Sequence, residues 1–104
     1  MTLLSEIAVF IIHRALPGRS DDVHRVWERH LQPAIAANQA HEAYFYCYDV
    51  ADPDVIRVFQ QYRDQGEAQA FLATPAYAAY VAAVEPLLCG PPEVLAASPV
   101  WAKP

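Results

Sequence analysis

Positions 6 to 16, EIAVFIIHRAL, are mostly apolar, without helical spacing and with several β-branched members. The run stops at Pro17-Gly18, so it predicts a strand closed by a turn. From residue 20 the period changes. Val23, Val26, Trp27, His30, Leu31, Ala34 and Ile35 recur on one helical face, with Ser20 as expected N-cap and Asp21 and Asp22 in the first turn, where acidic groups suit the helix dipole. Pro33 falls inside this pattern and predicts a kink or short break, because it lacks a backbone donor and clashes with the preceding turn. Ala43 to Val50 and VIRVFQQY, 55 to 62, read as two strands of a hairpin joined by ADPD. DQGE, 64 to 67, fits a capping box that opens a short helix to about Ala73. Thr74-Pro75 is a cap with proline in the first helical position, opening a helix whose face carries Tyr77, Tyr80, Val81, Val84 and Leu88 and which ends near Pro86 to Gly90. PEVLAASPV, 92 to 100, reads as a last strand.

The order strand, helix, strand, strand, helix pair, strand is the split β-α-β plan of a ferredoxin-like α+β fold. It predicts a four-stranded antiparallel sheet with all helices on one face, in a single domain over residues 1–104 with its core at about 6–100. Strand one sorts by period two into Ile7, Val9, Ile11 and His13 on one face and Ala8, Phe10, Ile12 and Arg14 on the other. Both faces are largely apolar and the helices cover one, so a second copy of the chain is expected on the other, as a homodimer. Tyr44, Tyr46 and Tyr48 also share a face, and three phenols in a row call for a covered position with partners for their hydroxyls. Two readings are open for this row: a subunit interface, favoured for the three together, and the wall of a small-molecule pocket.

Composition narrows the function. With 55% hydrophobic and 18% charged residues, the 104-residue chain is a folding, slightly oily sequence. The net charge of −5, a lone lysine (Lys103) and scattered arginines leave no basic stripe for nucleic acid. Glu, His or Arg interrupts every apolar run, so no membrane span is expected, and the opening MTLLSEIAVFIIHR lacks the basic start of a secretory signal. Cys47 and Cys89 read as two free, buried thiols of a cytoplasmic protein. Three isolated glycines exclude a phosphate loop. The histidines have no ligand spacing: His24 and His30 lie about 240° apart on their helix, and His41 is expected to be exposed. No metal site follows.

The chain's motifs, taken together, resemble a known family. A strand, PG, a helix, a tyrosine-bearing strand, a DP turn, a strand ending in an aromatic, EAxxxxLATP, a helix and PLLxGPPEV together resemble the antibiotic biosynthesis monooxygenase (ABM) domain from about Ile7 to Val100, most specifically in FLATPAY and PLLCGPPEV. The resemblance implies a dimeric α/β barrel. It also implies relatives that oxidise quinols or anthrones with O₂ and no cofactor, others that degrade haem, and an isomerase-like enzyme. Tyr62 stands where the family commonly has tryptophan. Phe71 stands where quinol-type members have histidine and haem-degrading members tryptophan. His13 stands where haem-degrading relatives place asparagine, and their histidine ligand falls near Tyr80 or Val81, so that ligand is absent here.

The resulting expectation is a cofactor-independent monooxygenase for a small aromatic quinol or anthrone, with no nucleic-acid or membrane partner. The alternatives are a non-catalytic dimeric binder of small molecules or an acid/base isomerase, with haem degradation last. His13 is the candidate base, since imidazole titrates near neutrality and can take a phenolic proton; the competing reading is a satisfied strand-end histidine. Tyr62 is the second catalytic candidate, an orienting donor. Tyr44, Tyr46, Phe71, Trp27 and Tyr80 are the candidate substrate contacts, although an aromatic stripe at helical spacing is also what plain core looks like. Arg14 is expected in an interface ion pair.

Overall fold

The computed structural model describes residues 5–104; the first four positions of the expected domain lie outside the described residues. The elements are β1 (Ile7–Arg14), α1 (Ser20–His30), α2 (Gln32–Ala37), β2 (His41–Tyr48), β3 (Val55–Tyr62), α3 (Gln65–Leu72), α4 (Pro75–Val84), a 3₁₀ turn (Glu85–Leu87) and β4 (Glu93–Ala97). The strands pair antiparallel in the order β2-β3-β1-β4. This is the ferredoxin-like α+β architecture expected from the element order.

Local chemistry explains the boundaries. Pro33 has no N–H to offer the carbonyl a turn back, and the helix breaks at Leu31, between α1 and α2. Ser20 is not an N-cap. Helix α1 begins at Ser20 itself, Arg19 holds the cap position without a side-chain bond, and the Ser20 hydroxyl donates to the Pro53 carbonyl at 2.6 Å, tying the helix to the β2–β3 connection. Asp64 caps α3 by accepting from the Glu67 N–H at 2.8 Å. Thr74 caps α4 by accepting from the Tyr77 N–H at 3.3 Å. Thr74→Ala is expected to destabilise by about 1 kcal/mol, read as a lower urea midpoint at unchanged slope. Gly18 takes a positive φ of 76° in the turn after β1, and its N–H donates to Asp54 Oδ1 at 3.0 Å.

Strand β3 alternates sharply. Ile56, Val58, Gln60 and Tyr62 are buried under the helices, while Arg57 is exposed and Phe59 and Gln61 are half-covered. The core lies between this face and Val23, Trp27, Leu31, Phe71, Tyr80 and Val84 of the helices. On the opposite face Phe10, Phe45 and Leu95 are 41%, 61% and 50% exposed, with the Phe59 ring tilted against Phe10 and Phe45 at centroid distances of 5.3 and 6.1 Å.

Strand β2 starts two residues before its expected first residue. Its register slips between His41 and Ala43: His41 pairs with Tyr62 and Ala43 with Gln61, leaving Glu42 as the extra residue of a bulge. Strict alternation from Tyr44 would turn His41 outward. The bulge turns it inward, toward Tyr62 and Phe71.

Several expectations are corrected. The tyrosine row faces α1 of the same chain rather than the open side of the sheet, with Tyr44 and Tyr46 packed against the core and Tyr48 45% exposed at its end. Trp27 stacks on Tyr44 at a centroid distance of 5.7 Å and packs tilted against Tyr46 at 4.6 Å, and the Tyr48 hydroxyl donates to Asp21 at 2.8 Å. Arg14 forms an exposed ion pair with Asp52 of its own chain at 3.0 Å, which leaves the expected interface pairing untested. Cys47 and Cys89 are free but exposed rather than buried. No described helix is long and apolar enough to cross a membrane.

Candidate functional site

A cavity of about 500 Å³ opens between the helix-facing side of the sheet and α3, α4 and the segment leading into β4. That is room for a small ring system. Period two in β1 carries Ile11 and His13 to its floor, and period two in β3 carries Val58, Gln60 and Tyr62. The helices bring Phe71, Tyr77 and Tyr80, and Pro91 and Pro92 close one side.

Of the residues singled out from the sequence, His13, Tyr62, Tyr44, Phe71 and Tyr80 come together around this cavity. Trp27 and Tyr46 are not among its lining residues. Both lie further along the sheet under α1, where Tyr46 packs beneath Trp27 and His24 and its buried hydroxyl has no partner among the described residues. Trp27 acts one step removed: its indole Nε1 donates to the Tyr44 hydroxyl at 3.0 Å.

His13 is 5% exposed. Its Nε2 shares a hydrogen bond of 3.0 Å with the Tyr80 hydroxyl, and its Nδ1 is buried without a partner among the described residues. Burial penalises the imidazolium and pulls the pKa down to about 4, so the ring is neutral near pH 7. Burial also pushes the Tyr80 and Tyr62 phenols well above their ordinary range, and Tyr44 up to about 12. All three therefore stay protonated.

Two site residues escape the sequence reading. Gln60 is 4% exposed, and its Oε1 accepts from the Tyr62 hydroxyl at 2.6 Å and from His41 Nε2 at 3.0 Å. His41 is not exposed as expected. It packs against Tyr62 at 4.3 Å and edge-on to Phe71 at 4.6 Å between centroids, and Asn38 Nδ2 donates to its Nδ1 at 2.9 Å. Burial lowers its pKa, partly offset by the bond to Gln60. An out-of-place polar residue in a β-branched strand was the only sequence signal for Gln60, and the bulge that redirects His41 left none. Among the described residues no three His, Cys, Asp or Glu side chains gather as a metal site would require.

A ferredoxin-like sheet roofed by helices, with an aromatic cavity between the layers, defines the class of protein. Residues 7–83 match the model of the antibiotic biosynthesis monooxygenase family, and the chain belongs to that family. No curated protein matches it. Among solved structures, a Nitrosomonas europaea protein of unknown function, NE2512, is 25% identical with a TM-score of 0.81, over 98% of this chain and 96% of that one. Rv0793 from Mycobacterium tuberculosis is 23% identical with a TM-score of 0.82, over 94% and 98%. A Caulobacter crescentus protein described as a candidate antibiotic biosynthesis monooxygenase is 17% identical with a TM-score of 0.86, over 95% and 93%. These last two likenesses speak for the fold.

Proposed function

We propose that the chain, as one domain over residues 1–104, is a cofactor-independent monooxygenase for a small aromatic quinol or anthrone. The observation that carries this reading is a buried, neutral His13 at the cavity wall with one ring nitrogen unpartnered. In this reading a small turn of the His13 ring uncovers Nδ1, which the surrounding residues cover in the free protein, and Nδ1 takes the proton of a phenol or of an acidic ring CH₂. The resulting imidazolium donates from Nε2 to the Tyr80 oxygen and from Nδ1 to the new anion. The electron-rich anion passes one electron to O₂, the substrate radical and superoxide join at carbon, and the imidazolium returns its proton to the resulting peroxide, which leaves a hydroperoxide and a neutral His13. For an anthrone-type CH₂, loss of water from the hydroperoxide leaves a carbonyl. The apolar wall, Phe71 included, keeps water from the anion. Family membership supports the reaction class.

The same site supports a second reading. A pKa near 4 makes His13 a weak base, and with phenylalanine at position 71 the chain is also suited to hold an aromatic molecule without transforming it.

Oxygen uptake by metal-free protein over a panel of quinols and anthrones separates the two. Saturable uptake that falls about a hundredfold or more in His13→Ala supports the base assignment. Uptake indifferent to the substitution keeps the reaction and removes His13 from it. No uptake across the panel leaves the binder.

The exposed Phe10, Phe45 and Leu95 on the outer sheet face support a homodimer with sheets facing each other. Sedimentation equilibrium checks it directly.

A further inference from the structure

Gln60 sits in an interior strand, between Val9 of β1 and Tyr44 of β2. A buried amide there is costly unless its polar atoms are satisfied. Its oxygen is: Tyr62 donates to it at 2.6 Å and His41 at 3.0 Å. Its nitrogen has no partner among the described residues, and the residue lines the cavity.

The orientation of the amide is enforced from outside. Asn38 Oδ1 accepts from the Ala40 N–H at 3.3 Å, which leaves Nδ2 as the Asn38 atom facing His41. Nδ2 can only donate, so His41 Nδ1 accepts and the ring proton sits on Nε2. Nε2–H in turn can only donate, so it selects the Gln60 oxygen. Flipping the Gln60 amide would set N–H against N–H at His41. The donors run one way, from Asn38 through His41 to Gln60, and both N–H groups of the Gln60 amide are left over. Two donors on the oxygen also polarise the amide and strengthen those N–H groups.

We propose that Gln60 recognises the ligand in this cavity through an oxygen that accepts hydrogen bonds, a ring carbonyl or phenolate, with His41 and Asn38 as positioning residues that fix the amide. This rests on the cavity being the ligand site of the proposed function and adds the selectivity of that site. The arrangement discriminates strongly, because a donor pair without an acceptor is left unsatisfied by an oxygen-free ring of the same shape.

The test is calorimetric binding of two probes of one shape, 1-tetralone, which carries a ring carbonyl, and tetralin, which carries none. The protein is expected to prefer 1-tetralone about tenfold. Gln60→Glu keeps an oxygen for Tyr62 and His41 but replaces the N–H donors with an acceptor, so the preference for 1-tetralone over tetralin is expected to vanish or invert. Asn38→Ala is expected to weaken the preference and to shift the His41 ring ¹⁵N resonances away from the Nε2–H tautomer, a change that loss of packing alone would not produce. Equal binding of both probes, no binding of either, or a preference untouched in Gln60→Glu overturns the inference. A Gln60-dependent preference in a protein that consumes no O₂ sustains this assignment and removes the oxygenase reading.

Discussion

Trp27→Ala is expected to lower the unfolding free energy by about 4 kcal/mol, the scale seen when a buried indole is cut to a methyl group. Trp27 is 7% exposed and is the member of α1 on which β2 packs, with the rings of Tyr44, Tyr46 and His24 at 5.7, 4.6 and 5.6 Å. Truncation opens a void under the helix and removes the donor to the Tyr44 hydroxyl, leaving a buried phenol at the cavity edge short of a partner. Trp27→Phe should lose less, about 1 to 2 kcal/mol, since most of the ring contact survives. Urea unfolding followed by far-ultraviolet circular dichroism is the measurement, because Trp101 would complicate fluorescence. A loss below about 1 kcal/mol for the alanine variant would mean that α1 is held by something other than this stack.

The second large effect is acid sensitivity. His13 titrates at about 4 in the folded chain against an ordinary 6.5. Between those values the unfolded chain binds a proton that the folded one refuses, so stability rises with pH across the window from about 4 to 6.5. Integrated over that window at 1.36 kcal/mol per unit, the protein should be about 3 kcal/mol less stable at pH 4 than above pH 6.5. His41, also lowered by burial, adds loss of the same sign. Asp22, Asp49 and Asp52, held low by their arginine and backbone partners, lose their contributions only as pH falls through the carboxylate range. Urea midpoints at half-unit intervals from pH 4 to 7.5 would trace the slope. His13→Gln should flatten most of it, whereas an unchanged slope would assign the acid sensitivity to other groups.

How far the sequence carried can be seen in particular residues. Period two in β1 groups His13 with Ile7, Val9 and Ile11, the face that the helices cover, without saying which face that is. Tyr62 is placed at the pocket only by the family resemblance. Proline and capping signals place the breaks at Leu31, Asp64 and Thr74. Periodicity reports a face, however, and not a position along it. Tyr44 and Tyr46 share a face, yet one reaches the cavity and the other lies under α1, because β2 runs out from beneath α3 and α4 toward the first helix. Ser20 looks like a cap by type and neighbours, but a carbonyl 33 positions away takes its hydroxyl. The bulge at Glu42 is the costliest omission. A single inserted residue reverses the facing of His41, and with it the donor chain that orients Gln60.

Strand β3 writes two messages in alternate letters. Val58, Gln60 and Tyr62 shape the cavity beside the core residue Ile56, while Arg57, Phe59 and Gln61 shape the outer surface. The two sets share a backbone and no side-chain volume. Substitutions in one set can therefore accumulate while the other stands still, so a lineage could change what the cavity accepts without changing what its outer surface meets. A deletion within the strand has the opposite character, because it exchanges the two alphabets at a stroke.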